Sequence, residues 1–169
     1  MDTFLLTSKQ NVEELVAQHQ RCGTTAIQLC DSLQSRDLKK LKQQLPNVNL
    51  VQVLHVTGPE IFNQASELEP FIDAFLLDSG NPAAELKSLG GTGRTHNWQI
   101  SRAICQAVKV PVYLAGGLNS DNVAEAIATV DPYGIDVCSG VRINDRLDKD
   151  KLVAFIQAVK IANQINLQG

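Results

Sequence analysis

Val110-Pro111-Val112-Tyr113-Leu114-Ala115-Gly116-Gly117-Leu118-Asn119-Ser120-Asp121-Asn122-Val123-Ala124-Glu125-Ala126 is the stretch that decides the fold. Its first part, Val110–Ala115, is a nearly continuous apolar run, the composition of a strand buried on both faces of a parallel sheet. Two glycines end the run. Ser120 and Asp121 are capping residue types standing just before Asn122-Val123-Ala124-Glu125-Ala126, so a helix is expected over Asn122–Val130. Strand, glycine turn and helix in that order make one βα unit.

The same unit recurs on both sides. Apolar runs stand at Thr3–Leu6, Thr25–Leu29, Leu50–Val56, Ala74–Leu77 and Ile135–Cys138. Between them lie segments whose apolar residues recur at helical spacing. Val12, Leu15, Val16 and His19 form the stripe of Asn11–Cys22, and Leu38, Leu41 and Leu45 that of Asp37–Leu45. Ile61, Phe62, Ala65 and Leu68 follow Pro59; Trp98–Val108 is helical, and Asp148–Gln164 closes the chain as a longer amphipathic helix. Strands start about every 22 to 25 residues, apart from one longer interval holding Gly90–Gly93. Six βα units predict an α/β fold with a parallel sheet and one domain over residues 1–169. Ligand turns after regular strands favour a barrel over a doubly wound sheet, although periodicity alone does not separate them.

The chain has 169 residues, 44% of them apolar and 20% charged, a composition that supports a packed core. With a net charge of −3 and no dense Lys/Arg cluster, nucleic acid is not an expected partner. No apolar run approaches the roughly eighteen residues of a membrane span, and the first residues lack the pattern of a secretory signal. Cys22, Cys30, Cys105 and Cys138 are scattered, with no paired spacing and no neighbouring histidine at metal-ligand spacing. They read as free thiols of a cytoplasmic protein, and no metal is expected. Cys22, Cys105 and Cys138 read as small apolar residues.

Three glycine-bearing turns follow apolar runs: Leu89-Gly90-Gly91-Thr92-Gly93-Arg94, Leu114-Ala115-Gly116-Gly117-Leu118 and Asp136-Val137-Cys138-Ser139-Gly140-Val141. Glycine lets backbone N–H groups come close to an anion, and a helix opened by such a turn adds its dipole. One such turn is weak evidence. Three at successive strand ends point to a phosphorylated small molecule.

The order Leu76-Leu77-Asp78-Ser79, Gly90-Gly91-Thr92-Gly93-Arg94-Thr95-His96-Asn97-Trp98, Leu114-Ala115-Gly116-Gly117-Leu118-Asn119 and Asp136-Val137-Cys138-Ser139-Gly140-Val141 resembles the phosphoribosylanthranilate isomerases of tryptophan biosynthesis. The resemblance is specific over residues 74–160 and looser before them, where Thr25-Ala26-Ile27-Gln28-Leu29-Cys30 takes the place of the family's V-Q-L-H-G strand. It implies a (βα)8 TIM-barrel-like fold, here an incomplete barrel of about six βα units. It also implies an Amadori rearrangement without metal or organic cofactor. Asp78 matches the family's general acid, on the fourth strand here and the sixth in the family. Gly116, Gly117, Ser139 and Gly140 match its phosphate cradle, and Gly91, Thr92 and Gly93 its loop over the ribose.

The sequence departs from the family at three points. The family's base, a cysteine in a K-I-C-G turn on the first strand, has no counterpart, and counting back from Asp78 the first two βα units are not matched. Cys30 stands where the family has histidine and is the one substitute base the sequence offers, on a different strand. Arg142 replaces the glutamate after Ser-Gly-Val and either adds a cation near the phosphate or faces solvent. A phosphate-binding barrel fragment without catalysis is the competing reading. Six units leave two open sheet edges, so a homo-oligomer through those edges is expected. Of the remaining candidates, His19 reads as core and His55 as a satisfied structural histidine. His96 and Trp98 read as a helix start, and Arg146–Lys151 as a solvated loop and helix start.

Overall fold

The structure is a computed structural model that describes residues 1–79 and 97–166. Among these, β1 (Phe4–Thr7), β2 (Ala26–Leu29), β3 (Asn49–His55), β4 (Ala74–Asp78), β5 (Val112–Leu114) and β6 (Gly134–Ile135) form one sheet. Every pair in it is parallel, and the spatial order equals the chain order. A doubly wound sheet starts in its middle and reverses direction at a switch point. This sheet never reverses, so it is wound like a barrel. It is not closed: among the described residues β1 pairs with β2 alone and β6 with β5 alone.

The helices are α1 (Val12–Cys22), α2 (Ser35–Gln44), α3 (Ile61–Leu68), α4 (Trp98–Ala107), α5 (Val123–Val130) and α6 (Lys149–Asn166). Local chemistry sets several of their ends. The side chain of Asn11 accepts from the Glu14 N–H at 3.0 Å and opens α1. Gly23, at φ +63°, closes it with a bond from its N–H to the His19 carbonyl. Asn97 caps α4 by accepting from the Gln99 N–H at 3.0 Å. His19 is not core: it is part-buried, and its Nε2 lies 2.7 Å from the Thr24 carbonyl, across the α1–β2 turn.

The strands have two faces. Leu50, Leu54, Phe75, Leu77 and Leu114 point to the helices and are fully buried in the main core. Val51, Val53, Ala74, Leu76 and Ala115 point inward and form a second, smaller cluster. Gln52 is buried on the helix side, where its Nε2 donates to the carbonyls of Leu29, Asp31 and Val53 and so ties β2 to β3.

Three local expectations are corrected. The helix after the glycine pair opens at Val123, not at Ser120 or Asp121, because Asn119 and Asn122 take the preceding backbone N–H groups for a turn of their own. The last strand covers Gly134–Ile135 instead of Ile135–Cys138; one more ladder bond, from the Asp136 N–H to the Leu114 carbonyl, precedes its departure into a 3-10 turn at Ser139–Val141. Arg142–Leu147 is a small antiparallel hairpin, β7 (Arg142–Ile143) with β8 (Arg146–Leu147), where a solvated loop was expected from Arg146. Asn144 and Asp145 at φ +49° and +61° make its two-residue turn, a conformation these residue types tolerate.

Candidate active site

The C-terminal ends of β2, β4, β5 and β6 surround a cavity of about 210 Å³. Asp78 ends β4 and points into it, only 6% exposed. Its carbonyl accepts from the Val56 N–H, and its Oδ1 accepts from the Ser79 N–H at 2.7 Å. An N–H aimed at a carboxylate oxygen fixes the side chain in one orientation.

The two glycine turns after β5 and β6 stand against it. Gly116 has φ +84°, and a Cβ there would lie 2.7 Å from the Ser79 nitrogen. The β5 turn therefore touches the backbone beside Asp78, an approach only glycine permits. Gly140 is tighter still, since a Cβ would lie 1.9 Å from the Leu118 carbonyl oxygen. It locks the third turn onto the second. Gly116, Gly117 and Ser139 line the cavity with Asp78, while Gly140 packs behind them. Asn122 braces the arrangement: its Oδ1 accepts from the Asn119 N–H at 2.9 Å and its Nδ2 donates to the Gly117 carbonyl at 3.0 Å. The sequence marked it as a helix residue alone.

Cys30 also lines the cavity, half-buried at the end of β2. Burial pushes its thiol up, and the charges of Asp31 and Asp78 add to the effect. His55 is the register partner of Asp78 on β3, and its Nε2 lies 3.2 Å from the Cys30 carbonyl. Its Nδ1 is buried without a partner, so it is only half satisfied. Arg142 is exposed in the hairpin, with its carbonyl accepting from Lys151 Nζ. Trp98 begins α4 and packs on the core with its indole N–H unpartnered. Cys22 and Cys138 are exposed, contrary to their reading as apolar packing residues; Cys138 lies on the cavity rim. Gly91, Thr92, Gly93 and His96 lie outside the described residues.

Asp136 is the group the sequence did not single out as a site residue. It lines the same cavity just past the end of β6, an exposed residue whose carboxyl is pushed up by partial desolvation and then by the charge of Asp78. Its signal was period-two alternation: with Ile135 and Val137 packed toward the helices, Asp136 points inward. Among the described residues no three His, Cys, Asp or Glu side chains are grouped to hold a metal ion, and no helix is long and apolar enough to cross a membrane.

The model of the N-(5′-phosphoribosyl)anthranilate isomerase family matches residues 6–158. This chain belongs to that family. N-(5′-phosphoribosyl)anthranilate isomerase 2 of Methanosarcina mazei is 36% identical over 157 residues, covering 92% of this chain and 69% of its own length. The isomerase of Methanocella arvoryzae is 40% identical over 149 residues, with 88% and 68% covered. The solved structure of the Pyrococcus furiosus isomerase superposes with a TM-score of 0.75 at 27% identity, over 95% of this chain and 74% of that one. The isomerase family and its barrel-like strand order thus agree with the resemblance carried by the glycine motifs.

Proposed function

We propose that this chain carries the acid and phosphate side of a phosphoribosylanthranilate isomerase site. The observation that carries the reading is the convergence of Asp78, Gly116, Gly117 and Ser139 on one cavity in a chain of this family. Asp78 donates a proton to the ribose ring oxygen as the C1–O bond breaks, and the lone pair of the anthranilate nitrogen forms the C1=N iminium. A base then removes the C2 proton, and the electron pair moves toward the iminium to give the enolamine that becomes the aminodeoxyribulose phosphate. Backbone N–H groups of the β5 and β6 turns hold the phosphate, the usual phosphate position at the mouth of a barrel. Cys30 lines the cavity from β2, a different strand from the family's base, with its thiol pushed up by burial. The reading assigns that role to a group outside the described residues. A cytoplasmic location and association of copies along the β1 or β6 edge belong to the same reading.

Turnover of N-(5′-phosphoribosyl)anthranilate tests it. A polypeptide bearing a Lys-Ile-Cys-Gly strand unit, supplied with this chain, is expected to raise its rate by about two to four orders of magnitude, the usual contribution of a positioned base. Asp78→Asn is expected to remove a similar factor from the supplemented rate. Wild-type rates in Asp78→Asn break the acid assignment. Binding of ribose 5-phosphate with no turnover under either condition favours a phosphate-binding module instead.

A further inference from the structure

We propose that the open side of the barrel is a docking face for a second polypeptide of two βα units, whose strands pair with β1 and β6 at once and whose helix lies on α6. The inference rests on the family reading for the number of units, and not on the chemistry assigned to Asp78.

Uncovered apolar surface is confined to two places. Apart from Met1, every large apolar side chain exposed among the described residues lies on β1 or beyond Asp131. Phe4 and Leu6 belong to β1. Tyr133 stands just before β6, Ile143 and Leu147 lie in the hairpin after it, and Val153, Ile156 and Ile161 are on α6. The helices α1 to α5 expose none. Exposed apolar residues are ordinarily scattered singly over a domain. Here they mark the two borders of one opening, and residues 80–96 join β4 to α4, elements at neither border.

The two borders share a space. Phe4 and Leu6 from β1 and Ile135 from β6 line one cavity of about 250 Å³, with Val51, Leu76 and Tyr113 of the strands between. An occupant of that cavity meets both edges together. Both edges also carry backbone N–H and C=O groups without a strand partner among the described residues. Two strands parallel to β1 and β6 bring the sheet to about eight, the number at which inward side chains just fill a barrel.

The longest helix says that the occupant is more than strand. α6 packs on α5 and on the 3-10 turn at Ser139–Val141, with Leu152, Phe155 and Val159 toward the core. Val153 and Ile156, three residues apart on another flank, stay 45% and 43% exposed. A bare strand leaves that flank open. A βα unit brings a helix whose apolar stripe covers it.

The relatives supply the size. The 157 residues matched in the Methanosarcina mazei isomerase 2 are 69% of its length, so about 70 of its residues have no counterpart here. With strands starting about every 22 to 25 residues in this chain, that length holds two βα units. A second copy of this chain brings six strands to a gap for two. Copies and the two-unit polypeptide therefore compete for the β1 edge.

The probe is a polypeptide of the first two βα units of the Methanosarcina mazei isomerase 2, with that of the Methanocella arvoryzae isomerase as a second. Each is titrated into the full chain, with mass followed by light scattering and backbone amides by hydrogen exchange. A one-to-one complex is expected, with exchange slowed by about tenfold or more on the outer edges of β1 and β6 and unchanged in β3. Ile156→Glu is expected to weaken the complex by about tenfold or more, the cost of carrying a charge into an apolar contact, while its own thermal unfolding stays that of the wild type. Gln43→Glu, exposed on α2, is expected to change neither. No complex with either probe overturns the proposal, as does protection at β1 alone or a complex indifferent to Ile156→Glu. Binding of sulfate, a phosphate mimic, by this chain alone reports on the cradle separately. Sulfate bound without a complex leaves the cradle standing and removes the docking face; a complex without sulfate binding does the reverse.

Discussion

β4 and β1 are written in nearly the same letters and live in different surroundings. Ala74-Phe75-Leu76-Leu77-Asp78 is buried at every position, whereas in Phe4-Leu5-Leu6-Thr7 only Thr7 is. Leu6 is 60% exposed, whereas Leu76, on the same inner face of the sheet, is 5% exposed. Composition marks a strand that can be covered on both faces, but cover comes from neighbours. β4 has β3 and β5 beside it and inward residues of both packed on its own; among the described residues β1 has one neighbour. The candidate acid stands on the strand with two neighbours, where the backbone is most tightly held. The candidate acid sits on a middle strand of this sheet, and unpaired surface at its edges.

The strongest test of that contrast is a pair of core truncations. Phe75→Ala removes a fully buried ring from the helix side of β4 and is expected to cost about 3–5 kcal/mol in urea unfolding. Leu6→Ala on the open face of β1 is expected to change stability by no more than about 0.5 kcal/mol. Comparable losses at the two sites would mean that β1 is covered in solution, and the contrast would fail.

A second comparison separates a glycine needed for space from one needed for conformation. At Gly140 an added methyl meets the Leu118 carbonyl, which belongs to the backbone and cannot swing aside. Gly140→Ala is expected to cost about 1–3 kcal/mol, as overpacking does, and to weaken sulfate binding by displacing the third turn. Gly23→Ala meets nothing within 4 Å and pays only for its φ of +63°, about 1 kcal/mol, with sulfate affinity unchanged. Thermal unfolding and sulfate titration of the two variants decide it. Equal sulfate affinity in both would detach the Gly140 turn from the anion site.

Periodicity and composition made the six strands and six helices legible, because each strand is apolar across its length and each helix keeps an apolar stripe. Period alone is blind to spatial order; the turns after the strands and the family resemblance pointed to a barrel, and the ladder pairs agree. The cradle glycines were visible as turns, yet the closeness of Gly116 to Ser79 and of Gly140 to Leu118 arises from contacts between segments far apart in the chain. Asp136 was hidden by its setting in an apolar run that looked like strand throughout. The hairpin was missed although Asn144-Asp145 is a turn signal, because two-residue strands carry no period. His19 followed the helical stripe faithfully and still emerged part-buried, since the stripe passes the end of the core at the α1–β2 turn.

The smallest effect on folding is expected at the edge itself, and it carries the question of assembly. Among the described residues β1 offers backbone groups without a strand partner on one side and the side chains of Phe4 and Leu6 on its inner face, 42% and 60% exposed. Such an edge recruits a further strand unless charge or cover prevents it, and a lysine is a common natural guard. Leu6→Lys is therefore expected to leave unfolding stability within about 0.5 kcal/mol of the wild type while shifting the mass measured by light scattering toward the monomer. The argument requires the wild type to associate as its concentration rises. A wild type that stays monomeric at every concentration would show that the edge pairs with no second copy. An association unchanged by Leu6→Lys would move the contact away from β1, to β6 or to a helix face.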